Sequence, residues 1–186
     1  LDQELIPFFQ PERERFLEYD LTKMIHSVAT PKKIVVGLLS SLQLEGDFAA
    51  ALQGQPLQPY AVLNQLRQLY EVRTLATDFD KVDPAVDVLM IVHPQNLPEK
   101  TLYAIDQFVL GGGRALVFVD PYSETQISHP SRFSPQGAPS DSNLDKLFKA
   151  WGVELEPKVV AGDLQAARKV NAGGTAPVDY VGWLAL

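Results

Sequence analysis

Among its 186 residues the chain has no cysteine. That excludes disulfides, thiolate metal sites and a cysteine nucleophile, and it leaves the cellular compartment undetermined. Long apolar runs are absent too. The strongest, 34–39 and 88–92, fall far short of the ~20 residues that a membrane-crossing helix needs. Positive charge is not in excess: 16 Lys and Arg stand against 23 Asp and Glu, a net charge of −7. An acidic chain without a basic cluster is a poor nucleic-acid binder, so no nucleic-acid partner is expected. What remains is ordinary globular material, 46% hydrophobic and 21% charged, which excludes a disordered chain.

The first residue is Leu1 rather than an initiator Met, and the last seven residues, 180–186, are apolar. Both features lead to the expectation of a piece of a longer protein, with targeting information outside it.

Residues 4–9 read as an extended arm, with Pro7 arguing against a central strand. Residues 12–29 carry Phe16, Leu17, Leu21, Met24, Ile25 and Val28 at helical spacing, and Thr30-Pro31 ends the run. Together, 1–30 read as an appended segment before an α/β domain over 31–186. The apolar runs 34–39, 88–92 and 115–119 read as strands buried on both faces and central to the sheet. Residues 71–75 read as a shorter strand. Helices are expected at 60–70, with Val62, Leu63, Leu66 and Leu69 inward, and at 98–110, with Leu102, Ile105, Val109 and Leu110 inward. A third is expected at 143–151, capped by Asn143 and ended by Gly152. Further strands are expected at 158–160 and 178–185. The connections 40–59 and 121–142 are long and rich in Gln, Gly, Ser and Pro, so much of 42–58 and 122–142 is expected to be exposed and mobile until a partner or ligand orders it. Alternating strands and helices imply a parallel sheet with right-handed crossovers. The expected fold is α/β and flavodoxin-like, with strand order 2-1-3-4 and helices on both faces.

In such sheets ligands gather at the carboxyl ends of the strands. That rim would hold Ser40 and Ser41 after the first strand, His93 after the third, and Asp120, Tyr122 and Glu124 after the fourth. A hydroxyl, an imidazole and a carboxylate are the inventory of an acyl-transfer triad. Yet His93-Pro94 and Asp120-Pro121 are turn-forming pairs, and Ser40-Ser41 lacks the Gly-x-Ser-x-Gly elbow. The six residues are therefore read as a ligand-binding rim without catalysis. Gly111, Gly112 and Gly113 follow a helix and precede a strand, the reverse of a phosphate cradle, so they read as a helix end. Asp78, Asp80 and Asp83 begin like a calcium loop, but Asp83 and Leu89 stand where Gly and Glu are needed. His26 and His129 have no suitably spaced ligand partners. Neither a metal nor a cofactor is expected.

Several strings carry a family likeness: 16–22 (FLEYDLT), 31–40 (PKKIVVGLLS), 63–75 (LNQLRQLYEVRTL), 102–121 (LYAIDQFVLGGGRALVFVDP) and 143–153 (NLDKLFKAWGV). In them the chain resembles the ABC-transporter-associated auxiliary family linked to gliding motility, over about residues 4–186, with 102–121 the most specific part. The resemblance implies a bacterial membrane protein with a large extracytoplasmic region between anchors, encoded with ABC-transporter permease and ATPase components. It also implies a core similar to class I glutamine amidotransferase-like folds, whose nucleophile is a cysteine that this chain lacks. No catalytic residue comes with it, and an upstream domain ending at 1–9 is implied. The expected function is a non-catalytic extracytoplasmic domain acting in protein contact or ligand sensing. The rival is a small-molecule hydrolase or carbohydrate-binding protein using the rim. Ile6, Phe8 and Phe9 are costly to leave in water, by about 1.5–3 kcal/mol each, so they are expected to pack on a second copy, on the helix at 12–29 or on the upstream domain, with a homodimer through 1–30 favoured.

Overall fold

A computed structural model of the chain describes residues 5, 11–30, 32–47, 51–54, 56–128, 139–171, 173 and 176–184. The chain divides into two compact units, Leu1–Phe118 and Val119–Leu186.

The first unit opens with a 3-10 turn, Pro11–Phe16, that runs into helix α1, Leu17–Ala29. Then follow β1 (Val35–Ser40), α2 (Ala61–Leu69), β2 (Glu71–Leu75), β3 (Val88–Val92), α3 (Glu99–Leu110) and β4 (Arg114–Phe118). All four strands are parallel, in the order β2-β1-β3-β4. This is the expected flavodoxin-like order. The steps β1 to β2 and β3 to β4 run in opposite lateral directions, so right-handed crossovers put α2 and α3 on opposite faces of the sheet.

Burial follows position in the sheet. Val35, Val36, Leu38 and Leu39 on β1, and Leu89 and Ile91 on β3, are buried, as are Leu63 of α2 and Ala104 and Ile105 of α3. β4 corrects the sequence reading. It is an edge strand among the described residues, with Leu116 and Phe118 about half exposed. An apolar run reports strand propensity, and the number of neighbours decides whether the strand is covered. Helix faces shift similarly: Leu63 is buried while Val62 is exposed, and Ile105 is buried while Leu110 is exposed. On α1 no residue is buried, and its apolar stripe, including Leu21, Ile25 and Val28, faces outward. The expected arm at 4–9 lies outside the described residues except Leu5, which is exposed.

The short link between β2 and β3 crosses the sheet without a helix, and two devices hold it. Val86 packs over Gly37 of β1, where a Cβ would stand 3.0 Å from one Val86 methyl and 3.2 Å from Leu75. Thr101, fully buried at the start of α3, turns its hydroxyl to the Thr77 and Phe79 carbonyls at 3.1 and 3.0 Å and accepts the Phe79 N–H at 3.2 Å. Asp87 then anchors the start of β1: its carboxylate accepts the Val35 N–H at 2.8 Å while its own N–H donates to the Val35 carbonyl. After α3, Gly112 takes the left-handed conformation and the N–H groups of Gly111 and Gly113 close onto Gln107 and Phe108, so the glycines do form a helix end.

The second unit holds α4 (Glu124–Ser128), α5 (Asp145–Trp151), β5 (Ala167–Val170) and β6 (Val178–Leu184). Gly152 ends α5 in the left-handed region, as expected. Asn143 sits one residue before the cap position, which Leu144 occupies, and its side chain accepts the Asp145 N–H at 3.5 Å. The strand expected at 158–160 is absent: Lys158 is in the left-handed region, which breaks an extended run. β6 forms as expected, paired antiparallel with β5, a strand that the weak pattern of 167–170 did not announce.

Candidate functional site

The rim residues divide between the units. Ser40, Ser41 and His93 belong to the first, and Asp120, Tyr122 and Glu124 to the second.

In the first unit, Ser40 ends β1 opposite Val92 of β3, so Ser41 and His93 leave adjacent strand ends. Both serine hydroxyls are engaged with backbone. The Ser40 hydroxyl donates to the Leu42 carbonyl and accepts the Leu42 N–H, each at 3.0 Å. The Ser41 hydroxyl accepts the Gln95 N–H at 3.0 Å, across from the turn that follows His93. His93 is buried, has φ of 50°, and donates its N–H to the Phe118 carbonyl at 2.8 Å. Positive φ at a non-glycine residue is uncommon, and it recurs at Asn96. The segment 93–96 is thus a tight, over-determined turn that steers the chain from β3 toward α3.

Beside it, the long connection 40–59 is pinched at its base. The Tyr60 N–H donates to the Leu44 carbonyl at 2.9 Å, and Gly46, at φ of 112°, lies so close to Gln58 that a Cβ would stand 2.7 Å from the Gln58 carbonyl oxygen. Glu45 locks this base to the sheet. Its Oε1 accepts from Arg67 at 2.6 Å and from the Thr74 hydroxyl at 2.8 Å. The Arg67 hydrogen bond, seconded by Thr74, holds the Glu45 carboxyl below its ordinary pKa against the opposing effect of burial. At the other end of the sheet, a small pocket is lined by His26, Thr30, Ile34, Gln68 and Tyr70. Of the three acidic residues in the link, Asp78 pairs with Lys100 at 2.5 Å and Asp83 with Arg73 at 3.2 Å. His129 lies outside the described residues.

In the second unit, Asp120 closes a local turn. Its Oδ1 accepts the Tyr122 N–H at 2.8 Å, its N–H donates to the Ser142 hydroxyl at 2.9 Å, and its carbonyl accepts the Ser142 N–H at 2.8 Å. Glu124 has different company. One carboxylate oxygen accepts the Tyr180 hydroxyl, and the other accepts the Trp183 indole N–H at 2.9 Å. The two rings meet edge to face, with centroids 5.3 Å apart and planes at 71°. The Tyr180 phenol is raised above its ordinary pKa, chiefly by its hydrogen bond to Glu124, with a smaller push from Tyr122.

Residues three apart on a regular strand face opposite sides. Here Arg168 pairs with Tyr180 while the adjacent Ala167 pairs with Leu184, so residues 181–183 are extra in β6. This bulge turns Tyr180 and Trp183 onto one carboxylate. Sequence reasoning singled out Tyr122 and Glu124 and missed Tyr180 and Trp183. Two aromatics in one short strand were visible, and the isolated Gly182 between them was the one signal of the bulge.

Comparison with known proteins places the chain. The family described as an uncharacterised ABC-type transport system matches residues 33–186. The chain belongs to that family, and the family's name marks it as an auxiliary component of an ABC-type transport system. No curated protein and no solved structure gave a significant match.

Proposed function

We propose that the chain works as a non-catalytic, extracytoplasmic domain of the auxiliary component, making protein contact within a complex that contains the permease and ATPase. One observation supports the non-catalytic reading: the Ser40 and Ser41 hydroxyls, the hydroxyl candidates among the described residues of the first unit's rim, both hold backbone N–H groups, and Ser40 also donates to a carbonyl. A nucleophile needs its proton aimed at a base, whereas the Ser40 proton points at the Leu42 carbonyl. Family membership supports the transport setting. A role in gliding motility and a membrane-held, periplasmic location are the narrower form of the same proposal.

Affinity purification of the full-length protein from its native membrane tests the contact role. The permease should co-purify, and protease added outside spheroplasts should cut this domain. Protection from that protease, or a pull-down without transporter subunits, would overturn the reading. Hydrolysis of a generic ester is expected to stay at background. Turnover that His93→Ala abolishes, with the circular dichroism spectrum unchanged, would establish an enzyme instead.

A further inference from the structure

The Glu124 cluster serves no step in the contact role, and its composition asks for a ligand. The Glu124 carboxylate accepts from the polar edges of Tyr180 and Trp183, whose rings pack edge to face, and both rings remain open to solvent, with Trp183 about half exposed at 51%. Tyr122 stands nearby, also exposed. Each oxygen of Glu124 already accepts from one ring's polar edge. The cluster therefore offers negative charge and aromatic face more than it offers directed hydrogen-bond acceptors. A sugar or a neutral amide needs the acceptors. A quaternary ammonium ion needs charge and ring faces and donates no hydrogen bond, which is the basis of aromatic cages for such cations.

We propose that Glu124, Tyr180 and Trp183 form a binding site for a quaternary ammonium group. The bulge at 181–183 is what builds it, by bringing two rings to one carboxylate. Arg168, opposite Tyr180 on β5, brings a positive charge to the same edge. The ligand must gain more from Glu124 and the rings than it loses to that charge, so weak binding, with a dissociation constant of about 1–10 mM, is expected at so open a site. The site uses no residue of the Ser40–Ser41–His93 rim and stands whether or not the chain makes the contacts proposed above.

The test is a nitrogen–proton correlation spectrum of the chain, following the Trp183 indole N–H, assigned by its loss in Trp183→Phe. Choline chloride is titrated at constant ionic strength, beside 3,3-dimethylbutan-1-ol, which has the same shape without the charge. Choline should shift the indole signal saturably, and the alcohol should bind about two- to fivefold more weakly. Glu124→Gln, which keeps the acceptor oxygen, should weaken choline by a similar factor. No saturation by about 100 mM choline, equal binding of the uncharged alcohol, or undiminished binding to a folded Glu124→Gln would each overturn the proposal. The comparison with the alcohol needs no variant and so survives a failure of Glu124→Gln to fold. A trimethyllysine peptide titrated in parallel separates the two sources of such a group, and the tighter binder identifies whether a modified side chain or a free small molecule fits the site.

Discussion

In the first unit Leu38, Leu39, Leu63, Leu89, Ile91 and Ile105 are almost wholly buried, and they come from two strands and two helices far apart in the chain. In the second, the buried apolar side chains among the described residues are Leu144, Leu147 and Phe148, all in or beside the short helix α5. Its other fixed points are polar: Asp120 with Ser142, the Ser123 N–H with the Ser140 carbonyl at 2.8 Å, and Glu124 with Tyr180 and Trp183. A net hydrogen bond contributes about 0.5–1.5 kcal/mol, against about 1.5–3 for a fully buried large aliphatic side chain. The first unit is thus held by non-local apolar packing and the second by polar clamps. Regions of the second kind open locally at lower free energy, and it is there that the ligand site is proposed.

The largest expected effect breaks or confirms this contrast directly. Leu89→Ala, in the middle of β3, should destabilise the chain by about 2–5 kcal/mol in denaturant melts, through lost transfer and a residual cavity. Val181→Ala, in the bulge of β6, should change stability by only about 0.5 kcal/mol. Equal losses at the two positions would erase the distinction between the units.

A pair of clamp mutations sharpens it. Thr101→Val keeps the shape and removes the hydroxyl, leaving the Thr77 and Phe79 carbonyls and the Phe79 N–H without it in a half-buried setting. A loss of about 1–3 kcal/mol of global stability is expected. Ser142→Ala removes the acceptor for the Asp120 N–H and should cost about 1 kcal/mol. Hydrogen exchange separates the two. Thr101→Val should speed exchange throughout β1 and β3, and Ser142→Ala only around 120–142. Acceleration in β1 from Ser142→Ala would show that the units are not separate in stability.

The same contrast explains what was legible in the sequence. β2 and β3 fall on 71–75 and 88–92 as read, because apolar period and length mark a buried strand directly. The order β2-β1-β3-β4 followed from the connection lengths and the handedness of crossovers. Exposure of β4 and α1 was not legible, since Leu116, Phe118 and Ile25 have the same composition whether or not something covers them. The site residues were legible as types and not as partners. Ser40, Ser41 and Asp120 stood out as reactive groups, but whether a hydroxyl or carboxylate serves chemistry or a turn depends on backbone within two residues or across a loop. The pairing of Glu124 with Tyr180 and Trp183 spans more than fifty residues and depends on a bulge, whose one cue in the sequence is the isolated Gly182 within the strand run.

The smallest expected effect lies at a charged clamp of the first unit. Glu45 ties the base of the 40–59 connection to α2 and β2 through Arg67 and Thr74. Its folded pKa is depressed, first by the Arg67 hydrogen bond, with Thr74 and the Arg67 charge adding to it. A depressed carboxyl contributes stability that is present above its unfolded pKa of about 4.3 and lost as pH falls through the lower folded value. Both side chains are partly exposed, 39% for Arg67 and 23% for Glu45, so solvent screening holds the contribution to about 1 kcal/mol or less. Glu45→Gln keeps the shape and an acceptor for Thr74 while removing the charge. It should melt slightly below wild type at pH 7, and the gap should close as pH falls below about 4. Added salt should narrow the gap at pH 7 as well, because the pair is not sealed from water. A gap that persists unchanged at pH 3 would mean that the charge on Glu45 contributes nothing to it, and the first unit would then be held without a charged clamp even at its loop.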